Sequence, residues 1–75
     1  MVSRVIPLRL KELRKARRIT QLKLAMDLNM SQNTVSRYES GDREPGLAEL
    51  IQIADYFDVS IDYLLERTDN PNVNR

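Results

Sequence analysis

Glycine and proline, which most often end helices, are confined to a few points of this sequence. The two glycines are at positions 41 and 46, and the three prolines are at positions 7, 45 and 71. No proline therefore interrupts a helix between residues 8 and 44 or between residues 46 and 70. No segment alternates apolar and polar residues over a β-branched run, as a half-buried strand would. The chain is predicted to be all-α.

The apolar spacing predicts five short helices joined by tight connections. The predicted helices cover about residues 8–17, 21–28, 32–39 and 47–57, and a last short helix carries Ile61, Leu64 and Leu65. The residues expected on the buried faces of the first four are Leu10, Leu13, Ala16, Leu24, Ala25, Leu28, Val35, Tyr38, Leu50, Ile53, Ala54 and Phe57.

The ends of these helices have local signals. Helix N-caps are predicted at Thr20, Ser31, Gly46 and Ser60. A Thr or Ser hydroxyl accepts a hydrogen bond from one of the first amides of the helix, and Gly is nearly as favourable at this position. Asn29 and Gly41 are expected in the left-handed conformation that ends a helix. The apolar residues before three of the caps, Ile19, Met30 and Val59, are expected to plug the turns.

The length allows one domain of 75 residues. With no cysteine, its stability must come from packed helices or from association. No apolar run approaches the ~20 residues of a membrane span, and residues 1–10 are not expected to form a signal peptide. We therefore expect a cytoplasmic protein with flexible termini at residues 1–7 and 67–75.

The small net charge of +1 hides a strong asymmetry. Residues 1–43 hold ten Lys and Arg against four Asp and Glu, whereas residues 44–75 hold two against seven. The first part thus carries +6 and the second −5. This pattern indicates one face for a polyanion and another for solubility or a partner. Two solvated helical faces that happen to differ would give the same pattern.

Residues 21–40 are the most informative segment. Two predicted helices of about eight residues meet at the three-residue turn 29–31, and the small Ala25 lets the second cross closely over the first. This is the pattern of a helix-turn-helix.

The sequence resembles the phage-repressor/Cro-like (XRE) helix-turn-helix family over roughly residues 8–66. The matching motifs are Leu10-x-x-Leu13-Arg14, Thr20-Gln21-x-x-Leu24-Ala25, Ser31-x-x-Thr34-Val35-Ser36-x-Tyr38-Glu39-x-Gly41, Pro45, Leu50-x-x-Ile53-Ala54 and Val59-Ser60-x-Asp62-x-Leu64-Leu65. The resemblance implies a five-helix lambda-repressor-like domain over residues 8–66, encoded by a bacterium or a phage. It also implies a sequence-specific transcriptional regulator, a repressor, that binds operator half-sites of double-stranded DNA.

In a helix-turn-helix the second helix lies in the major groove with its N-terminal residues against base edges. The residues expected to read bases are Gln32, Asn33, Ser36 and Arg37. Glutamine and asparagine amides can pair with adenine, and arginine can pair with guanine. Alternatively, Gln32 and Asn33 are simply polar residues in the first helical turn after a cap. Arg37 could equally hold a phosphate.

A second set of side chains is expected to hold the DNA backbone. Gln21 starts the first helix of the motif, and the family places a phosphate contact there. Ser40 and Arg43 are positioned by the resemblance for the same role, and Thr34 lies close to the reading residues. Arg17, Arg18 and Lys23 are expected to add diffuse attraction.

Arg14 and Glu39 are implied by the resemblance to form a partly buried ion pair between the first and third helices. We expect a structural role, since it would fix the reading helix in place.

Two other function classes compete with DNA binding. An enzyme is disfavoured because the chain has no His and no Cys and no glycine-rich phosphate loop, so no catalytic residue, metal ligand or cofactor is predicted. A protein-interaction module could use the acidic half from Glu44 onward, with Ile61, Tyr63 and Leu65. The same surface, on the fourth or the last helix, could instead join two copies as a homodimer, either free or formed only on DNA. No membrane or small-molecule partner is expected.

Overall fold

The computed structural model describes residues 8–73 and contains five helices and no strand in that range. The helices are α1 (Leu10–Ala16), α2 (Gln21–Asp27), α3 (Gln32–Ser40), α4 (Leu47–Phe57) and α5 (Ile61–Leu64). The all-α prediction with five helices is confirmed, and the predicted starts of α2, α3 and α4 are met. The prediction for residues 1–7 lies outside the described residues.

Side-chain caps start three of the helices, as predicted. Thr20 Oγ1 accepts a hydrogen bond from the Lys23 amide at 3.0 Å. Ser31 Oγ accepts one from the Thr34 amide at 3.1 Å, and the Ser60 hydroxyl caps α5 in the same way. Gly46 is the N-cap of α4 with no side-chain bond. Each hydroxyl satisfies an amide that the helix itself leaves without an acceptor.

Four helices end in the same turn, with a non-glycine residue in the left-handed conformation. Asn29 was predicted there (φ 57°); Arg18 (57°), Asp58 (54°) and Glu66 (60°) were not. In each case the next residue donates its amide to the carbonyl five positions back, as Met30 does to Ala25 at 2.9 Å. This is the Schellman arrangement. Gly41, also predicted, ends α3 at φ 85°.

Three of these turns continue into a cap, so that one connection recurs: a left-handed residue, an apolar residue and a hydroxyl N-cap. Ile19 and Met30 are half-buried against the core, and Val59 is buried. The connections are residues 18–20, 29–31 and 58–60. At these three connections the chain passes from one helix to the next through a short, fully bonded turn.

One core is shared by all five helices. Its buried residues are Leu10, Leu24, Ala25, Leu28, Val35, Tyr38, Ile53, Ala54, Phe57, Val59 and Leu64. Leu13 and Leu50 pack against it half-buried. The prediction for Ala16 is wrong: its side chain is exposed. The chain leaves α1 directly after Ala16, and Ile19 contacts the core in its place.

Two arginines bind backbone carbonyls far along the chain. Arg17 donates to the carbonyls of Tyr56 (3.1 Å) and Phe57 (2.9 Å), at the end of α4, with its guanidinium 5.0 Å from the Phe57 ring centre. Arg9 donates to the Tyr63 carbonyl at 2.8 Å and lies 4.4 Å from the centre of the Tyr63 ring. Arg17 satisfies carbonyls at the end of α4 that have no helical partner, whereas the Tyr63 carbonyl also accepts the Glu66 amide at 3.0 Å.

Two further polar contacts join α2 to α4. Gln52 Nε2 donates to the Leu28 carbonyl at 2.8 Å. The Tyr56 hydroxyl donates to Asp27 Oδ2 at 2.6 Å, and Lys23 Nζ lies 3.0 Å from Asp27 Oδ1. The Tyr56 hydrogen bond, followed by that of Lys23, lowers the pKa of Asp27, and the same contact raises the pKa of Tyr56.

The predicted ion pair between Arg14 and Glu39 is present and joins α1 to α3. Arg14 Nε lies 2.7 Å from Glu39 Oε2, and Arg14 Nη2 donates to Glu39 Oε1 at 3.1 Å. Arg14 Nη1 also donates to the Ile19 carbonyl at 2.9 Å. Only 12% of the Arg14 side chain and 4% of the Glu39 side chain are exposed. The carboxylate raises the pKa of Arg14, chiefly through this hydrogen bond.

After α5 the chain returns to the body of the domain. The Ser60 amide donates to the Pro71 carbonyl at 3.0 Å, and Arg9 Nη2 donates to the Thr68 carbonyl at 3.3 Å. Flexibility of residues 67–75 stays a prediction. Among the helices of residues 8–73, none is long and apolar enough to cross a membrane.

Arg14→Ala should destabilise the domain by about 3–5 kcal/mol, because it leaves the Glu39 carboxylate buried without its partner. Urea denaturation followed by circular dichroism measures the free energy of unfolding. Lys23→Ala is the matched control: the Lys23 side chain is exposed, and the loss of its pair with Asp27 should cost much less, because solvent screens it. Equal costs for the two variants would contradict the structural importance of the Arg14 pair.

Tyr56→Phe should raise the pKa of Asp27 toward its ordinary value of 3.8, because the hydrogen bond that favours the carboxylate is lost. An Asp27 pKa that is lowered on folding stabilises the domain above that ordinary value. This contribution disappears as pH falls through the pKa of the folded state. An NMR pH titration of the Asp27 carboxyl carbon measures the shift, and Tyr63→Phe is the control that should leave it unchanged. The same pKa in both variants would refute the assignment.

Candidate nucleic-acid interface

Helices α2 and α3 pack directly against each other around the turn at residues 28–31. Ala25 is 1% exposed and Val35 is fully buried. The Met30 amide donates to the Ala25 carbonyl, which ends α2 and redirects the chain into the Ser31 cap of α3. The predicted helix-turn-helix is therefore formed, with a small residue where the two helices meet.

The N-terminal turn of α3 presents a polar surface. Gln32 and Asn33 are exposed and Ser36 is half-buried. These three line one shallow, open depression together with Gln21, the first residue of α2. Arg37 is exposed one turn further along α3 and lies outside the lining. The structure thus brings together three of the four predicted reading residues and one predicted phosphate residue.

Three of the predicted reading side chains are not occupied by contacts within the domain. Gln32, Asn33 and Arg37 form no side-chain hydrogen bond or ion pair with any residue from 8 to 73. The two exposed amides, with the guanidinium one turn further along α3, offer the kinds of donors and acceptors that base edges require. This arrangement can hydrogen-bond an external polar ligand without first breaking an internal contact.

Three of the four predicted phosphate residues also have partners inside the domain. Gln21 Nε2 donates to Glu39 Oε1 at 3.0 Å. The Thr34 and Ser31 hydroxyls share a hydrogen bond of 2.8 Å, and the Ser40 hydroxyl donates to the Arg37 carbonyl at 3.1 Å. Arg43 is exposed, and its side chain has no ion pair within the described part of the chain. Only its backbone amide is engaged, with the Arg37 carbonyl at 3.3 Å.

The cations among residues 8–73 divide into two groups, of which the sequence analysis singled out only Arg14. Arg9, Arg14, Arg17, Lys23 and Arg67 are bound to carbonyls or carboxylates. The exposed cations without an ion pair among residues 8–73 are Lys11, Lys15, Arg18, Arg37 and Arg43. Arg17 and Lys23, expected to add diffuse attraction, have assigned contacts within the fold. The Arg17 partners lie on α4, 39 and 40 residues away, so charge counting did not reveal this role. The Lys23 partner, Asp27, lies four residues on in α2, a spacing that the sequence does show.

Comparison with known proteins agrees with the motif. A helix-turn-helix family model matches residues 10–64. The uncharacterised HTH-type transcriptional regulator YobD of Bacillus subtilis is 38% identical over 64 residues, covering 85% of this chain and 57% of that protein. The HTH-type transcriptional regulator ImmR, also of Bacillus subtilis, is 40% identical over 57 residues, covering 76% and 45%.

The cryptic phage CTXphi transcriptional repressor RstR of Vibrio cholerae is 39% identical over 59 residues, covering 79% of this chain and 53% of that protein. No solved structure gives a significant match. The chain spans about half the length of the curated relatives that it matches. With the motif formed and the family model covering all five helices, the chain belongs to the phage-repressor/Cro-like (XRE-type) helix-turn-helix family.

Proposed function

We propose that this chain is the DNA-binding part of a transcriptional regulator, a repressor, that recognises operator half-sites through the major groove. The observation that carries the proposal is the depression at the start of α3, where exposed side-chain amides have no internal partner. Similarity to proteins named transcriptional regulators, among them the phage repressor RstR, supports it. Regulators of this family act by binding, and the proposal contains no catalytic step.

Base recognition is assigned to α3. Gln32 and Asn33 are suited to bidentate hydrogen bonds with adenine, and Arg37 is suited to guanine. Ser36, half-buried in the same depression, can donate or accept one hydrogen bond. Each bidentate contact discriminates between bases by about 1–3 kcal/mol. Three or four such contacts are enough to prefer one half-site over random sequence.

Backbone contacts are assigned to the residues around the reading helix. Arg43 supplies a charge just beyond α3, and Gln21 supplies an amide beside the reading residues. Thr34 and Ser40 add hydroxyls that keep acceptor or donor capacity beyond their internal bonds. Such contacts fix the register and the affinity and carry little sequence information.

A second copy of the chain is the proposed partner on DNA. Exposed Ile51 and Val73 line the groove between α4 and α5, and Leu47 is exposed one turn before Ile51 on α4. Asp55 and Asp62 line the same groove. Since two copies would bring these carboxylates together, we propose that the homodimer forms on DNA, where two half-sites hold the copies in place. The proposed location is the cytoplasm of a bacterial cell.

Salt dependence tests the DNA proposal directly. The chain should bind a random-sequence duplex at about 50 mM salt and lose affinity steeply by about 200 mM, because counterions released from phosphates drive the association. Fluorescence anisotropy of a labelled duplex measures the slope, and Arg43→Ala should reduce it by about one unit. Lys11→Ala, an exposed cation on α1, is the control. No binding at low salt would end the DNA proposal.

Reading and holding residues should separate in a sequence-selection experiment. Asn33→Ala should relax base preference at one position of the sites selected from a random duplex pool, because it removes a base contact. Gln21→Ala should weaken all sequences by about the same factor, because it removes a phosphate contact. Affinities for a panel of single-base variants of the selected site give both results. A uniform loss for Asn33→Ala would overturn its assignment to base reading.

A further inference from the structure

The Glu39 carboxylate has three donors rather than two. Its Oε2 lies 2.7 Å from Arg14 Nε, and its Oε1 accepts from both Arg14 Nη2 at 3.1 Å and Gln21 Nε2 at 3.0 Å. The Glu39 side chain is 4% exposed and Gln21 is half-buried. One carboxylate from α3 therefore joins the ion pair with α1 to the first side chain of α2.

The Gln21 contact is more than the ion pair needs. Arg14 already supplies a donor to each carboxylate oxygen, so the bidentate pair is complete without a third donor. What the third bond changes is Gln21: it fixes one N–H of an amide that otherwise rotates. The second N–H and the carbonyl oxygen of Gln21 remain for an external partner.

The position of Gln21 suggests what the orientation of its amide is for. Gln21 lines the open depression with Gln32, Asn33 and Ser36, so its fixed amide lies at the edge of the proposed reading surface. A carboxylate behind this amide would by itself repel a phosphate. The guanidinium of Arg14, 2.7 Å from that carboxylate, cancels its charge. The domain thus gains the orienting bond without presenting a net negative charge to DNA.

We propose that Glu39 is a positioning residue for DNA binding: it holds the Gln21 amide in place for a backbone phosphate, and Arg14 neutralises Glu39 so that the phosphate can approach. This inference rests on the proposed DNA-binding function. It assigns to the Arg14–Glu39 pair an effect on affinity in addition to its effect on stability.

The first test uses the unmodified protein. NMR relaxation of the glutamine side-chain amide nitrogens should show Gln21 as rigid as Gln52, whose Nε2 is held by the Leu28 carbonyl at 2.8 Å. Gln32, exposed and without an internal partner, should be mobile and serves as the contrasting control. A Gln21 amide as mobile as that of Gln32 would refute the positioning role, whatever any variant shows.

The second test is a double-mutant cycle on affinity for a random-sequence duplex. Glu39→Gln should weaken binding roughly three- to tenfold when Gln21 is present and by less than about twofold in the Gln21→Ala background. A purely structural role gives the same factor in both backgrounds and would overturn the proposal. Asp27→Asn, which loosens the α2–α4 contact away from the depression, is the matched control and should give equal factors.

The two levels of the argument fail in different ways. Absence of salt-dependent binding by the unmodified chain would remove the proposed function and this inference with it. Binding by the unmodified chain together with equal factors in the cycle would remove the positioning role alone. If Glu39→Gln does not fold, the relaxation measurement on the unmodified protein decides.

Discussion

The ion pair between Arg14 and Glu39 is the contact on which the arrangement of the first three helices depends. It is nearly buried, bidentate and reinforced by a bond from Arg14 to the Ile19 carbonyl, so it connects α1, the turn after it and the end of α3. Removing one partner would leave a charge with neither water nor a counter-charge. In a core this small, a loss of a few kcal/mol is a large part of the total stability.

The second constraint is the use of arginine as a structural residue. Arg9 and Arg17 donate hydrogen bonds to carbonyls at the ends of α5 and α4 and lie over aromatic rings there. These contacts connect the N-terminal third of the chain to its acidic half. The charge asymmetry therefore has two causes. Part of the positive charge holds the halves together, and the remainder, including Arg37 and Arg43, is exposed for a polyanion.

The sequence predicts what is local and misses what is made by helix crossings. Thr20, Ser31 and Ser60 were identifiable because a hydroxyl at an N-cap bonds an amide only three residues away. Asn29 was identifiable because asparagine tolerates the left-handed region. Asp58 could have been identified on the same ground, since aspartate also tolerates this region. Arg18 takes the same conformation although arginine has no preference for it.

The candidate site divides in the same way. Gln32, Asn33 and Ser36 follow from the motif, because they occupy the exposed first turn of a helix that starts at a recognisable cap. The bond from Gln21 to Glu39 spans two helices and 18 residues, and no spacing rule connects them. The prediction that Ala16 is buried was wrong for a related reason, because helical periodicity alone does not tell where a helix ends.

The three-residue connections have a consequence for how such a domain meets its ligand. Each connection is fixed by a backbone hydrogen bond, a buried or half-buried apolar side chain and an N-cap. The connection at residues 29–31 therefore leaves no hinge between α2 and α3. On the proposed function, a misfit between α3 and a binding site would then be absorbed by the double helix, through its own bending and groove width. The affinity for a DNA sequence would then depend on the stiffness of the duplex as well as on the hydrogen bonds to its base edges.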